Sequence, residues 1–175
     1  MIEKIKKAFI LAGGTGTRIQ LNKKQNLKAF IEIDNKTLLK RHIHLIKQYL
    51  NPEKIYVIIT RYKNLFQEDI RDFEGVELIF NEKVSNVGGL ELLLAIKNIN
   101  KYLDPKEHAL LTLVDEYYDE NDFKDFCNSI LNNNFSIMAA IKEFHFPDEY
   151  LKNYSVIIDK EKQIITKSIE KSKKI

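Results

Sequence analysis

Ala8-Phe-Ile-Leu-Ala-Gly-Gly-Thr-Gly-Thr-Arg18 starts as a short apolar run and breaks at a pair of glycines. An unbroken apolar run of this length is the pattern of a strand buried on both faces, and such strands belong to parallel sheets covered by helices. The glycines after it have a physical task. Without Cβ atoms, Gly13, Gly14 and Gly16 let backbone N–H groups close on a bound phosphate or base. Thr15 and Thr17 add hydroxyl donors, and Arg18 adds a planar fork suited to phosphate oxygens. The spacing is neither G-x-x-x-x-G-K-[ST] nor G-x-G-x-x-G, which argues against a P-loop ATPase and a dinucleotide dehydrogenase.

Downstream, the hydrophobic period alternates between that of strands and that of helices. Leu38, Leu39, Ile43, Leu45, Ile46 and Leu50 predict a helix over residues 37–50, closed by Asn51-Pro52. Strands are expected at 8–12, 55–60, 76–80, 109–114 and 137–141, with further helices at 64–73, 89–103 and 122–131. Residues 154–159 and 163–169 read as a closing β-ribbon. The expected fold is α/β: a mostly parallel, Rossmann-like sheet flanked by helices, with a C-terminal β-ribbon.

Composition narrows the functional classes. Hydrophobic residues make up 44% and charged residues 30%, with 6 Gly and 3 Pro, so a folded chain is expected and one domain over 1–175 is the simplest organisation. With 28 basic and 25 acidic side chains interspersed, the net charge of +3 does not suggest nucleic-acid binding. The single Cys127 has no intrachain disulfide partner, and no Cys/His spacing of a zinc site occurs. No apolar stretch approaches the roughly 18 residues that span a bilayer, so a cytoplasmic protein without a membrane partner is expected. His42, His44, His108 and His145 are scattered without a nucleophile motif and read as structural or surface residues.

Two further residues are charged groups placed near strand ends, and Asp115, at the head of the acidic stretch 115–122, reads by itself as an N-cap or solvated turn carboxylate. Asp115 ends the apolar run Ala109-Leu-Leu-Thr-Leu-Val, and a carboxylate at the C-terminal end of a parallel strand faces the crevice where open α/β sheets bind ligands. Lys28 lies in Gln25-Asn-Leu-Lys-Ala-Phe30 and, taken by itself, reads as a surface lysine. Tyr117 and Tyr118 follow Asp115 as packing or pocket-wall aromatics.

Residues 11–39 resemble the opening signature of sugar-1-phosphate nucleotidyltransferases, L-A-G-G-x-G-T-R-L followed by P-K-x-[LF]-x-x-[IV], with Leu27 where the family has Pro. The run ending in Val114-Asp115 is similar to that family's Gly-Asp strand end. Asn153 to Lys171 is similar to its Y-G-V…E-K hairpin, with Ser155 for Gly and Ser172 for Pro. The resemblance implies an enzyme that transfers NMP from an NTP to a sugar-1-phosphate, releasing pyrophosphate, in nucleotide-sugar and surface-polysaccharide biosynthesis. It implies nucleotide contacts from Leu11, Ala12, Gly13, Gly14, Gly16, Thr17, Asn86 and Gly89, with Arg18 and Lys28 as catalytic phosphate ligands. It places Mg²⁺ on Asp115 and a phosphorylated small-molecule acceptor against Tyr154, Glu170 and Lys171. A phosphocholine-type cytidylyltransferase and a non-catalytic nucleotide- or sugar-sensing subunit are the alternatives. Members usually continue past the E-K segment and draw a second metal-binding aspartate from there, so the chain is expected to be an N-terminal portion that binds nucleotide but turns over poorly. Full activity of this form would instead mean that the second aspartate is dispensable or that another acidic residue such as Asp119 or Asp122 takes its place; a homo-oligomer is compatible with the resemblance, and which NTP is used stays open.

Overall fold

The computed structural model describes residues 5–13, 27–80, 101–102, 107–132, 155–159 and 164–169. In chain order they form β1 (Lys7–Leu11), a 3-10 turn (Lys28–Phe30), β2 (Glu32–Ile33), β3 (Lys36–Thr37), α1 (Leu38–Tyr49), β4 (Lys54–Ile59) and α2 (Lys63–Ile70). β5 (Val76–Phe80), β6 (Ala109–Leu113), α3 (Glu120–Asn132), β7 (Ser155–Asp159) and β8 (Ile164–Ile169) follow. Four strands pair in the order β5-β4-β1-β6, all parallel. This is the Rossmann-like α/β sheet expected from the apolar runs. The chain divides into two units, Met1–Met138 and Ala139–Ile175. The second contains β7 and β8, an antiparallel ribbon with a bulge between Ile157 and Ile158.

The central strands are apolar throughout because both faces of the sheet are buried. Ala8, Ile10, Ile55, Val57, Ile59, Leu110 and Val114 pack in one core with Leu39, Ile43 and Ile46 of α1, Phe66 of α2 and Phe123 of α3. Phe9, Leu11, Tyr56, Ile58 and Ile79 form the core on the opposite face. An alternating, half-polar strand would not satisfy two such cores.

Element ends differ from the periodicity in ways that capping explains. Thr37 is not in α1 but caps it: its Oγ1 accepts from Lys40 N at 3.1 Å and its hydroxyl donates to Asp69 Oδ2 at 3.0 Å. Replacing Thr37 by Ala is expected to cost about 1–2 kcal/mol, the upper range for a lost cap, read by urea unfolding. Asn51, with φ 43°, ends α1 by donating its N–H to Ile46 O. The helix expected at 64–73 stops at Ile70, where the chain turns toward Gly75, whose φ is 74°. The β2–β3 hairpin was not anticipated; Asp34 and Asn35 both take positive φ, the two-residue turn whose twist suits a hairpin. The expected strand at 137–141 and nearly all of the helix at 89–103 lie outside the described residues.

Candidate active site

The chain leaves β1, returns as β4 and then β5 on one side, and comes back as β6 on the other. The strand order therefore reverses between β1 and β6, and open parallel sheets bind ligands outside the strand ends at such a point. The ladder runs one step past the strands there: Ala12 N donates to Ile58 O at 2.8 Å, and Val114 N donates to Leu11 O at 3.1 Å. Leu11 and Ala12 are thus packed into the sheet, both buried. Gly13 is the first residue beyond the ladder, its carbonyl accepting from buried Thr60 Oγ1 at 3.0 Å.

Lys28 and Asp115, 87 positions apart, meet as an ion pair at this edge, Lys28 Nζ donating to Asp115 Oδ2. The reason on the lysine side is local. Leu27, Ala29 and Phe30 around it are buried, and Phe30 packs on Phe66 with ring centroids 4.8 Å apart. A lysine flanked by three anchors has one direction left, outward over the strand ends. On the aspartate side, Val114 is tied to β1 and Glu116 N donates to Leu113 O at 3.3 Å, which fixes the turn carrying Asp115. The two side chains are 40% and 37% exposed, so the pair adds at most about 1 kcal/mol to folding. A weak, open pair of opposite charges at a switch point can exchange partners for a phosphate and a cation.

Beneath Asp115 lies a polar network in an otherwise apolar core. His42 Nε2 donates to Glu116 O at 2.7 Å, and its Nδ1 accepts from Thr112 Oγ1 at 3.3 Å. Burial pushes His42 below the ordinary histidine value, which makes the ring neutral near pH 7 and matches this one-donor, one-acceptor arrangement. Thr112 Oγ1 also lies 3.2 Å from the Tyr118 hydroxyl, which donates to the Glu116 carboxylate. Burial, then that hydrogen bond, pushes the Tyr118 phenol well above its ordinary value, so it stays a donor. Arg41 Nη2 donates to Tyr118 O at 3.2 Å while its guanidinium lies 4.6 Å from the Tyr117 ring centre.

Because the folded histidine value is depressed, the unfolded chain takes up a proton first on acidification. Stability is thus complete above about pH 6.5, the unfolded value, and falls as pH drops toward the folded value. Thermal unfolding followed from pH 8 to pH 5 is expected to show this fall, and His42→Gln, which cannot titrate, is expected to flatten it.

Of the remaining sequence candidates, Gly14, Gly16, Thr17, Arg18, Asn86, Gly89, Tyr154, Glu170 and Lys171 lie outside the described residues. The ribbon register pairs Ser155 with Ile169, the sequence neighbours of Tyr154 and Glu170. Asp119 is committed to α3, its Oδ1 accepting from Asn121 N at 2.8 Å, and Asp122 sits in the helix's first turn. The described residues contain no group of three or more His, Cys, Asp or Glu able to hold a metal. Sequence reading passed over His42 and Thr112 as chemistry. The available signal was a polar residue inside each of two apolar patterns, Leu39 to Ile46 and Leu110 to Val114.

The parallel sheet with its switch point between β1 and β6 defines an α/β domain of the kind that takes ligands beyond its strand ends, with a Lys–Asp pair standing there. The chain belongs to the MobA-like NTP transferase domain family, whose sequence pattern matches residues 8–157. It is similar to choline-phosphate cytidylyltransferase of Streptococcus pneumoniae (strain ATCC BAA-255 / R6), 30% identical over 106 residues, which are 59% of this chain and 45% of that protein. The chain therefore spans less than half the length of this relative. Among solved structures it is similar to the inositol-1-phosphate CTP transferase from T. maritima, with TM-score 0.64 and 18% identity over 96% of this chain and 65% of that one. It is also similar to 4-diphosphocytidyl-2C-methyl-D-erythritol synthase from Anaerococcus prevotii DSM 20548, with TM-score 0.54 and 16% identity over 97% of this chain and 65% of that one. At such identities these two likenesses establish the fold. Among the described residues, no helix is long and apolar enough to cross a membrane.

Proposed function

We propose that the chain is the nucleotide-binding portion of a cytoplasmic nucleotidyltransferase that transfers NMP from an NTP to a phosphorylated acceptor, a sugar-1-phosphate in the first instance, for nucleotide-sugar synthesis. The observation that carries this reading is the Lys28–Asp115 pair at the switch point of a family member's sheet. In the reaction, an acceptor phosphate oxygen forms a bond to the α-phosphorus, the bond from that phosphorus to the bridging oxygen breaks, and the electron pair leaves with pyrophosphate. Neither step demands a strong acid or base; both demand alignment and charge neutralisation.

The residues divide that work by charge. The backbone of Gly13, Gly14 and Gly16 approaches the nucleotide, with Asn86 and Gly89 toward the base and Arg18 on the β- and γ-phosphates. Lys28 turns from Asp115 to the α-phosphate, where charge builds as the fifth oxygen enters. Tyr154, Glu170 and Lys171 take the acceptor, Glu170 through its hydroxyls and Lys171 through its phosphate. Asp115 fits a hard divalent cation: Mg²⁺ is commonly bound by one or two carboxylates plus substrate phosphates, and this carboxylate is exposed at the strand edge. Bound there, Mg²⁺ would supply charge neutralisation at the phosphates.

The relative from S. pneumoniae favours a second reading in which phosphocholine is the acceptor and CTP the donor. One experiment separates the readings: pyrophosphate release by the full-length protein with each of four NTPs against sugar-1-phosphates and phosphocholine. Release with a sugar-1-phosphate supports the first reading, and release with phosphocholine and CTP alone the second. Nucleotide binding without release under any pairing would leave a sensing module.

A further inference from the structure

We propose that His42 is a positioning residue that holds the loop bearing Asp115 at the edge between β1 and β6. This inference rests on the reading of Asp115 as the carboxylate for the reaction's cation. The buried face of α1 is otherwise apolar: Leu38, Leu39, Ile43, Leu45 and Ile46. His42 is 2% exposed in that face, where a leucine would bury more apolar surface without any desolvation of polar atoms. A helix that needed only to pack would have no use for an imidazole there.

The imidazole is instead satisfied at both nitrogens by groups that bracket Asp115. Glu116, whose carbonyl accepts from Nε2, follows it directly, and Thr112, whose hydroxyl meets Nδ1, precedes it on β6. Tyr118, beyond Glu116, packs against His42 with the rings tilted by 57° and their centroids 5.2 Å apart, and joins the Thr112 and Glu116 side chains. Arg41, the neighbour of His42 on α1, takes the Tyr118 carbonyl. The turn is thus held from β1 through Val114, from its own backbone, and from α1 through Glu116 and Tyr118. His42 does not touch the Asp115 carboxylate; it acts on the peptide next to it. Outer contacts of this kind orient a cation's carboxylate, and losing them commonly weakens metal affinity by 10–100-fold.

The test measures nucleotide affinity by titration calorimetry in the full chain, with EDTA and with saturating Mg²⁺, using CTP or whichever NTP the release screen selects. The ratio of the two affinities reports the cation's share alone. His42→Leu is expected to lose about tenfold of the Mg²⁺-linked tightening while the affinity in EDTA stays within about twofold. His42→Gln, which can still donate toward Glu116 O, is expected to restore most of it. Leu45→Ala, on the same helix, is expected to lower the melting temperature and leave the ratio unchanged, as a merely structural defect would. Thr112→Val, which keeps the core shape and removes the hydroxyl from Nδ1, is expected to lose about threefold, and it carries the test should His42→Leu not fold. An unchanged ratio in His42→Leu or Thr112→Val, with the ratio lost in Asp115→Asn, overturns the positioning role. An unchanged ratio in Asp115→Asn itself overturns the assignment of the cation to that carboxylate, and this inference with it.

Discussion

Replacing Asp115 by Asn is expected to slow pyrophosphate release by the full-length protein about a hundredfold at saturating nucleotide. The amide keeps the size of the side chain and removes its charge, so a cation aligned by it loses its anchor. Misplacement of a reacting group by about 1 Å costs on the order of a hundredfold in rate. The same change should leave folding within about 1 kcal/mol of the parent, because the Lys28–Asp115 pair is solvent-accessible and weak. That contrast makes the experiment decisive: a large loss of rate at an unchanged unfolding midpoint is the signature of a site residue. A rate within tenfold of the parent would show that another carboxylate aligns the cation.

The second large effect is expected at Lys28. A charge-assisted hydrogen bond to phosphate contributes about 1.5–3 kcal/mol, so Lys28→Ala should weaken nucleotide binding by roughly tenfold to a hundredfold. The fold should tolerate the change, since Lys28 contributes only its exposed ion pair while buried Leu27, Ala29 and Phe30 hold the 3-10 turn. Removing the ammonium also relieves Asp115 of a competitor for its carboxylate, so the Mg²⁺ requirement should not worsen. Calorimetry showing equal nucleotide affinity for parent and variant would take Lys28 out of the site.

These expectations depend on residues of unequal legibility. The strand 8–12, the helix 37–50 and the strand 55–60 could be read to within a residue or two, because a chain buried on both faces of a sheet must be apolar without interruption and a helix covering it must repeat its own period. Thr37 shows why even these edges shift: its hydroxyl is worth more as a cap, with Asp69 behind it, than as another turn of helix. The β2–β3 hairpin was hidden because two-residue strands are too short to show a period, although Asp34-Asn35 carried its turn chemistry.

For the site, local patterns were enough to single out the glycine-rich segment after β1, since it follows an apolar strand whose C-terminal end faces the ligand crevice, whereas Asp115 at the head of an acidic stretch stands out only through the family resemblance. Nothing local distinguishes Lys28 from a surface lysine, or His42 from a core histidine. Their partners lie 87 and 74 positions away, and no short-range periodicity reports on such distances. The parallel pairing of Leu11 with Leu113 brings the end of β6 beside β1, and α1 packs across that face so that His42 reaches Glu116. Composition and periodicity thus determine which segments are strands and helices, because burial acts on each segment separately. Which charges meet is a property of sheet register and helix packing, which exist only once the segments have come together.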